Sequence, residues 1–174
     1  MNKTGWLAIA GVLAIGSAQA ATEVTIHRVT EDGIGQAHGT ISISETEYGL
    51  LFTPDLKDLP LEGIQGFHVH ENGSCAPGTD DGKSVAGLAA GGHFDPQDTG
   101  EHLGPYAEGH LGDLPALYVR EGGRADYPVL APRLTSVEQI SGRALMIHEG
   151  GDNHSDHPER LGGGGARILC GVIP

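Results

Sequence analysis

Basic residues are scarce in this chain. Lysine and arginine number 10 against 23 aspartates and glutamates, a formal net charge of −13. That balance argues against nucleic-acid and anionic-membrane partners, which are held by clustered positive side chains. A convincing helical period is also missing, which disfavours a helical bundle. Long apolar runs are missing beyond the N-terminus, so no membrane span follows it. Cysteine occurs twice, at Cys75 and Cys170, so at most one intrachain disulfide can form.

The N-terminus carries the one apolar run. Asn2-Lys3 is a short positive start, Trp6 to Ile15 carries no charge, and Ala18-Gln19-Ala20 offers small residues where a signal peptidase reads. The pattern predicts a cleaved signal peptide over residues 1–20. A membrane anchor would need about 20 apolar residues, more than this run supplies. Cleavage removes Lys3 alone, leaving 9 positive against 23 negative charges, a net −14. Residues 21–174 are long enough for one domain with a real core. Export means an oxidising compartment, which favours a Cys75–Cys170 bridge. Two free buried thiols and a two-cysteine metal site are the alternatives.

Short alternating segments separated by turns predict an all-β fold, a sandwich or flattened barrel of eight strands. The expected strands are Thr22 to Val29, Gln36 to Ser44, Tyr48 to Thr53 (ended by Pro54), Gly66 to His70, Leu114 to Val119, Tyr127 to Leu130, Ala144 to His148 and Arg167 to Ile173. Pro128 suggests an edge position for the sixth. Leu56 to Glu62 reads as a loop. Two long loops interrupt the pattern, from Glu71 to Gly112 and from Gly150 to Gly165. Strand signals vanish in both, and loops of that length point to function.

Histidine is where the chain departs from the ordinary. His68 and His70 lie two apart in a strand, so they share one face while Phe67 and Val69 take the other. His93, His102 and His110 follow in the first long loop, Asp113 just after it, and His148 ends a later strand. Neutral imidazoles with one carboxylate suit zinc and copper. Seven such residues exceed one tetrahedral site and match two sites sharing a residue. Of the other histidines, His27, His38, His154 and His157 read as surface residues.

The ordered motifs Gly66-Phe67-His68-Val69-His70-Glu71, Gly91-Gly92-His93-Phe94-Asp95-Pro96, Gly109-His110-Leu111-Gly112-Asp113-Leu114-Pro115, Asp152-Asn153, Gly165-Ala166-Arg167 and Cys170-Gly171-Val172-Ile173 resemble the copper,zinc superoxide dismutases, in particular their exported bacterial branch. The resemblance implies a Greek-key β-sandwich, dismutation of superoxide to O2 and H2O2, one copper and one zinc per subunit, and a periplasmic location. It assigns copper to His68, His70, His93 and His148, and zinc to His93, His102, His110 and Asp113, with His93 shared. Asp152 matches an aspartate that links a copper ligand to a zinc ligand, Arg167 an arginine beside the copper, and Cys75 with Cys170 the family's disulfide. Both dimers and monomers occur in that branch, so a homodimer is compatible with the sequence.

A net −14 repels an anionic substrate, which leads to a further expectation: Lys83, Arg160 and Arg167 form a local positive funnel. Two other functions use similar residues. A metal-buffering or copper-delivery module would need the histidines but neither Arg167 nor an open metal position. A zinc hydrolase would need a carboxylate base, and Glu149 beside His148 is the one candidate.

Overall fold

The computed structural model describes residues 21–174; the signal-peptide expectation lies outside them. Eleven strands occur among the described residues: β1 (Thr22–Thr30), β2 (Gly33–Thr46), β3 (Gly49–Leu56), β4 (Gly63–Gln65), β5 (Phe67–His70), β6 (Gly78–Asp80), β7 (Lys83–Val85), β8 (Leu117–Val119), β9 (Val129–Ala131), β10 (Ala144–His148) and β11 (Arg167–Val172). Seven form one curled, antiparallel sheet in the order β5-β10-β11-β1-β2-β3-β9. β4 pairs with β8, and β6 with β7.

β4 and β5 are two halves of one interrupted strand. The chain between them, at Gly66, still bonds toward β10: Gly66 N donates to Gly150 O, and Gly66 O accepts from His148 N. Taken as one strand, with the β6-β7 hairpin set aside, they give eight strands in the order β9-β3-β2-β1-β11-β10-β4/β5-β8. That is the expected eight-stranded Greek-key half-barrel.

The alternation that predicted the strands also fills the barrel. Val24 and Ile26 of β1, Ile41 and Ile43 of β2, Leu50 and Phe52 of β3, and Phe67 and Val69 of β5 are all fully buried in one cluster. Phe52 and Phe67 meet edge to face with centroids 5.7 Å apart, the favoured aromatic geometry. Each such side chain contributes about 1.5–3 kcal/mol through burial.

Three local expectations need correction. β3 does not end at Pro54 but runs to Leu56. Leu50 N and Leu56 N point away from β2, to Leu134 O and Ala125 O. Pro54 has the same parity, so its missing N–H falls where β9, which pairs only as far as Phe52, has already stopped. The first long loop contains the β6-β7 hairpin, turned by Asp81 and Gly82 with φ of 45° and 76°, the positive values a two-residue hairpin turn requires. Gly63–Gln65, which no strand expectation covered, pairs with β8. Pro128 immediately precedes β9, which is the sheet's edge strand.

The long loop is anchored along the free edge of β5. Phe94 N donates to Val69 O, Val69 N to Gly112 O, Leu114 N to Phe67 O and Glu71 N to Gly92 O. This lacing places His93 opposite His70 and Asp113 opposite His68. Cys75 and Cys170 are disulfide-bonded, with Cα atoms 5.7 Å apart, so both alternatives for the cysteines fall away. The bridge ties the same loop to β11.

Candidate metal centre

His68 and His70 project together from β5, opposite the core-facing Phe67 and Val69. All four residues are fully buried, because the long loop covers the outer face. His148 arrives from the end of β10 and His93 from the loop. The ligand-type nitrogens of His68, His70, His93 and His148 all lie within 4.8 Å of one another.

Hydrogen bonds fix which nitrogen each ring offers. His70 Nδ1–H donates to Gly91 O at 3.0 Å, and His148 Nδ1–H to Gly165 O at 3.3 Å. Their bare Nε2 atoms then face each other at 3.3 Å. Two lone pairs aimed at one point need a shared cation or proton between them. His68 Nε2–H donates to Asp152 Oδ2 at 2.8 Å, which leaves its buried Nδ1 without a partner. The ring of His93 stacks on that of His68, with centroids 4.0 Å apart.

A second cluster adjoins the first through His93. Its Nδ1 lies 2.8 Å from Asp113 Oδ1. His102 Nδ1 lies 2.9 Å from Asp113 Oδ2 without hydrogen-bonding it, and both atoms are buried and unpartnered. His68, His93, His102 and Asp113 form the tight group. His110 stands farther out, its unpartnered Nδ1 3.5 Å from Asp113 Oδ1. The orphaned atoms of His68, His102, His110 and Asp113 are donors that a pair of metal ions would satisfy. Asp152 connects the clusters, accepting from His68 at one oxygen and from His102 Nε2 at the other, 2.7 Å away.

The two clusters differ in charge. Burial pushes the His70 and His148 imidazoles well below their ordinary value, helped by neighbouring histidines. Burial and then His68 bring His93 down to about 3. Burial likewise depresses His102, but the Asp113 and Asp152 carboxylates against its two ring nitrogens outweigh it and raise the group to about 9. Although burial opposes it, Asp113 stays far below the carboxylate range through its contacts with His102, His110 and His93. One site is therefore four neutral nitrogens, and its neighbour includes a fixed anion.

Arg167 opens β11 directly across from His148. Its guanidinium donates to Gly87 O at 2.8 Å and to Gly91 O at 2.6 Å. With His70, His93, His148 and Arg160 it lines a cavity of about 280 Å3. Lys83 is not among the lining residues: it lies on the β6-β7 hairpin, so two of the three cations expected in the funnel reach the cavity. Glu149 is exposed and does not line the cavity over His70 and His148, so the hydrolase reading loses its base.

Several contributors had no signal in the sequence. Arg133 donates to His110 O and Gly109 O at 3.0 and 2.9 Å, pinning the end of the loop. Asp156 accepts from His102 N and from Leu161 N, joining the two long loops. His154, expected at the surface, is only partly exposed; its backbone N–H donates to Asp152 Oδ1 at 2.7 Å. His157 is exposed, whereas His27 and His38 are half-buried, each with Nδ1 against a carbonyl.

Fold and site together define a β-barrel metalloprotein with two adjoining clusters of ligand-type side chains, which have His68 and His93 in common. The copper/zinc superoxide dismutase profile matches residues 37–173. A Salmonella typhimurium protein named superoxide dismutase [Cu-Zn] 2 is 58% identical over 96% of this chain and 96% of its own length. Among solved structures, the Cu/Zn superoxide dismutase from Brucella abortus superposes with a TM-score of 0.86 at 51% identity, over 89% of this chain and all of that one. The monomeric copper, zinc superoxide dismutase from Salmonella enterica gives 0.80 at 57% identity, again over 89% of this chain and all of that one. The chain belongs to the copper/zinc superoxide dismutase family, and copper and zinc are its metals.

Proposed function

We propose that the protein converts two superoxide ions and two protons into O2 and H2O2. His68, His70, His93 and His148 hold copper, and His93, His102, His110 and Asp113 hold zinc. The observation that carries this reading is the place of His93 between the clusters, with Nδ1 committed to the Asp113 side. Copper supplies one-electron exchange in both directions, and zinc, which has no redox chemistry, fixes the shared ring.

The remaining work falls to this chain's own side chains. Arg167, pinned by two carbonyls, presents a planar cation to a small anion in the cavity over His70 and His148. His93 Nε2, the ring nitrogen not committed to Asp113, is the atom that takes a proton and passes it to the reduced substrate. Asp152 keeps His68 and His102 in the tautomers that turn their Nδ1 atoms inward. A metal-buffering module has no use for a fixed cation at an open cavity, so Arg167 favours the enzyme.

The test is to load residues 21–174 with copper and zinc and measure superoxide removal with and without His93→Ala. An inert loaded protein sinks the proposal. The same reading makes residues 21–174 the working unit, released into the periplasm after cleavage at Ala20. The disulfide, stable in an oxidising compartment, supports that location. A homodimer would bury the exposed face of Ile64, Tyr118 and Tyr127; sedimentation velocity decides between it and a monomer.

A further inference from the structure

The two centres open on different cavities of opposite electrostatic character. The cavity over the copper-type histidines carries Arg160 and Arg167. A second cavity, of about 310 Å3, is lined by His93 and His110 together with Glu71, Asp95, Asp98 and Asp156. Of the zinc-type residues, His102 is fully buried and Asp113 2% exposed; the surface that remains belongs to His93 at 5% and His110 at 8%. Both of these line the acidic cavity, and behind its surface the buried, unpartnered His110 Nδ1 faces Asp113 Oδ1 at 3.5 Å, so the cavity abuts the zinc-type cluster.

We propose that the acidic cavity is the entry site for zinc, a vestibule that captures a hydrated divalent cation and delivers it to His110 and the ligands behind. The inference rests on the zinc assignment above. Asp95 and Asp156 are bound to backbone amides, of Gly100 in one case and of His102 and Leu161 in the other, so they supply fixed negative charge. Glu71, whose carboxylate accepts from Gly92 N at 3.0 Å, and Asp98 are exposed and form the rim. Arg160 lines both cavities and stands at the boundary between them. Zinc is drawn to one door and superoxide to the other, so a strongly acidic protein separates zinc loading from substrate entry by local field.

The experiment follows zinc and copper uptake by the metal-free protein in stopped flow, using a zinc-sensitive dye for one and copper absorption for the other. Glu71→Gln with Asp98→Asn should slow zinc uptake about tenfold at low ionic strength, by loss of steering. The difference should vanish at high salt, with equal final zinc content and unchanged copper uptake. A control pair, Glu47→Gln with Glu121→Gln, removes the same charge outside both cavities and should leave zinc uptake unaltered. An unchanged zinc rate in the rim variant, or equal slowing in the control pair, overturns the vestibule. A measurement without substitutions stands beside it: salt should slow zinc uptake by the native chain and not copper uptake, and the reverse result also overturns it. If the native chain takes up no zinc at all, the zinc assignment falls together with the vestibule.

Discussion

Arg167 and His70 hydrogen-bond the same carbonyl. Gly91 O accepts from Arg167 Nη2 at 2.6 Å and from His70 Nδ1 at 3.0 Å. The cation facing the substrate cavity and the tautomer of a buried histidine therefore depend on one peptide of the long loop. Arg167→Ile removes the cation and leaves Gly91 O to His70. Superoxide removal should fall about tenfold or more through loss of local attraction, with copper and zinc contents unchanged by elemental analysis. Arg167→Lys keeps the charge but not the two-carbonyl fork, so it should fall between. Full activity in the isoleucine variant would take Arg167 out of the reaction.

Asp152 is a hinge between the clusters, and its loss should be felt in both. An asparagine keeps the volume but can turn only one acceptor oxygen toward two ring N–H donors. The other ring would meet an NH2 group and lose its orientation. Asp152→Asn should weaken retention of copper and of zinc, each by about 10- to 100-fold, read by competition with a chelator of known affinity. Weakening of one metal alone would contradict the bridge through His68 and His102.

Much of the barrel was legible because alternation reports burial directly. Val24 and Ile26, or Ile41 and Ile43, cannot face water without losing the core. The interruptions were harder to see. β6-β7 is exposed on both strands and has no alternating pattern, although Asp81-Gly82 carried the turn signal. Pro54 looked like a stop because sequence does not tell which side of a strand a missing N–H faces. Histidine and aspartate supply metal-ligand chemistry in few other guises, so the site residues could be named early. The supports could not: Arg133 and Asp156 act through backbone groups 23 and 54 residues away, and any exposed arginine or aspartate looks the same in sequence.

Removing the metals exposes opposing titrations. His93 has its folded pKa lowered to about 3 from 6.5, and His70 and His148 are lowered by burial as well. Below pH 6.5 the unfolded chain binds more protons than the folded one, so stability falls as pH drops from 6.5 toward 3. His102 is raised to about 9, and its contribution, complete below 6.5, is lost as pH rises through 9. The metal-free protein should therefore be most stable near pH 6.5. Urea denaturation at pH 4.5, 6.5 and 9.5 checks it, and losses on the order of a few kcal/mol are expected on each side. A monotonic profile would mean that the metal-free cluster does not keep this geometry.

The disulfide should matter to the unfolded chain more than to the metal centre. It joins residues 95 apart in sequence, and the chain-entropy model assigns such a loop about 4.7 kcal/mol, with 2–5 kcal/mol typical of losing a native bridge. In the folded protein, however, the loop bearing Cys75 is also held elsewhere. Asn72 bonds to Ala90 O and Ala89 O, and Arg167 to Gly87 O and Gly91 O. A Cys75→Ser, Cys170→Ser variant should therefore unfold at lower urea when metal-free, while the fully loaded protein keeps its metals and most of its activity. Loss of activity with metals retained would show that the bridge itself positions Arg167, because β11 carries both Cys170 and Arg167.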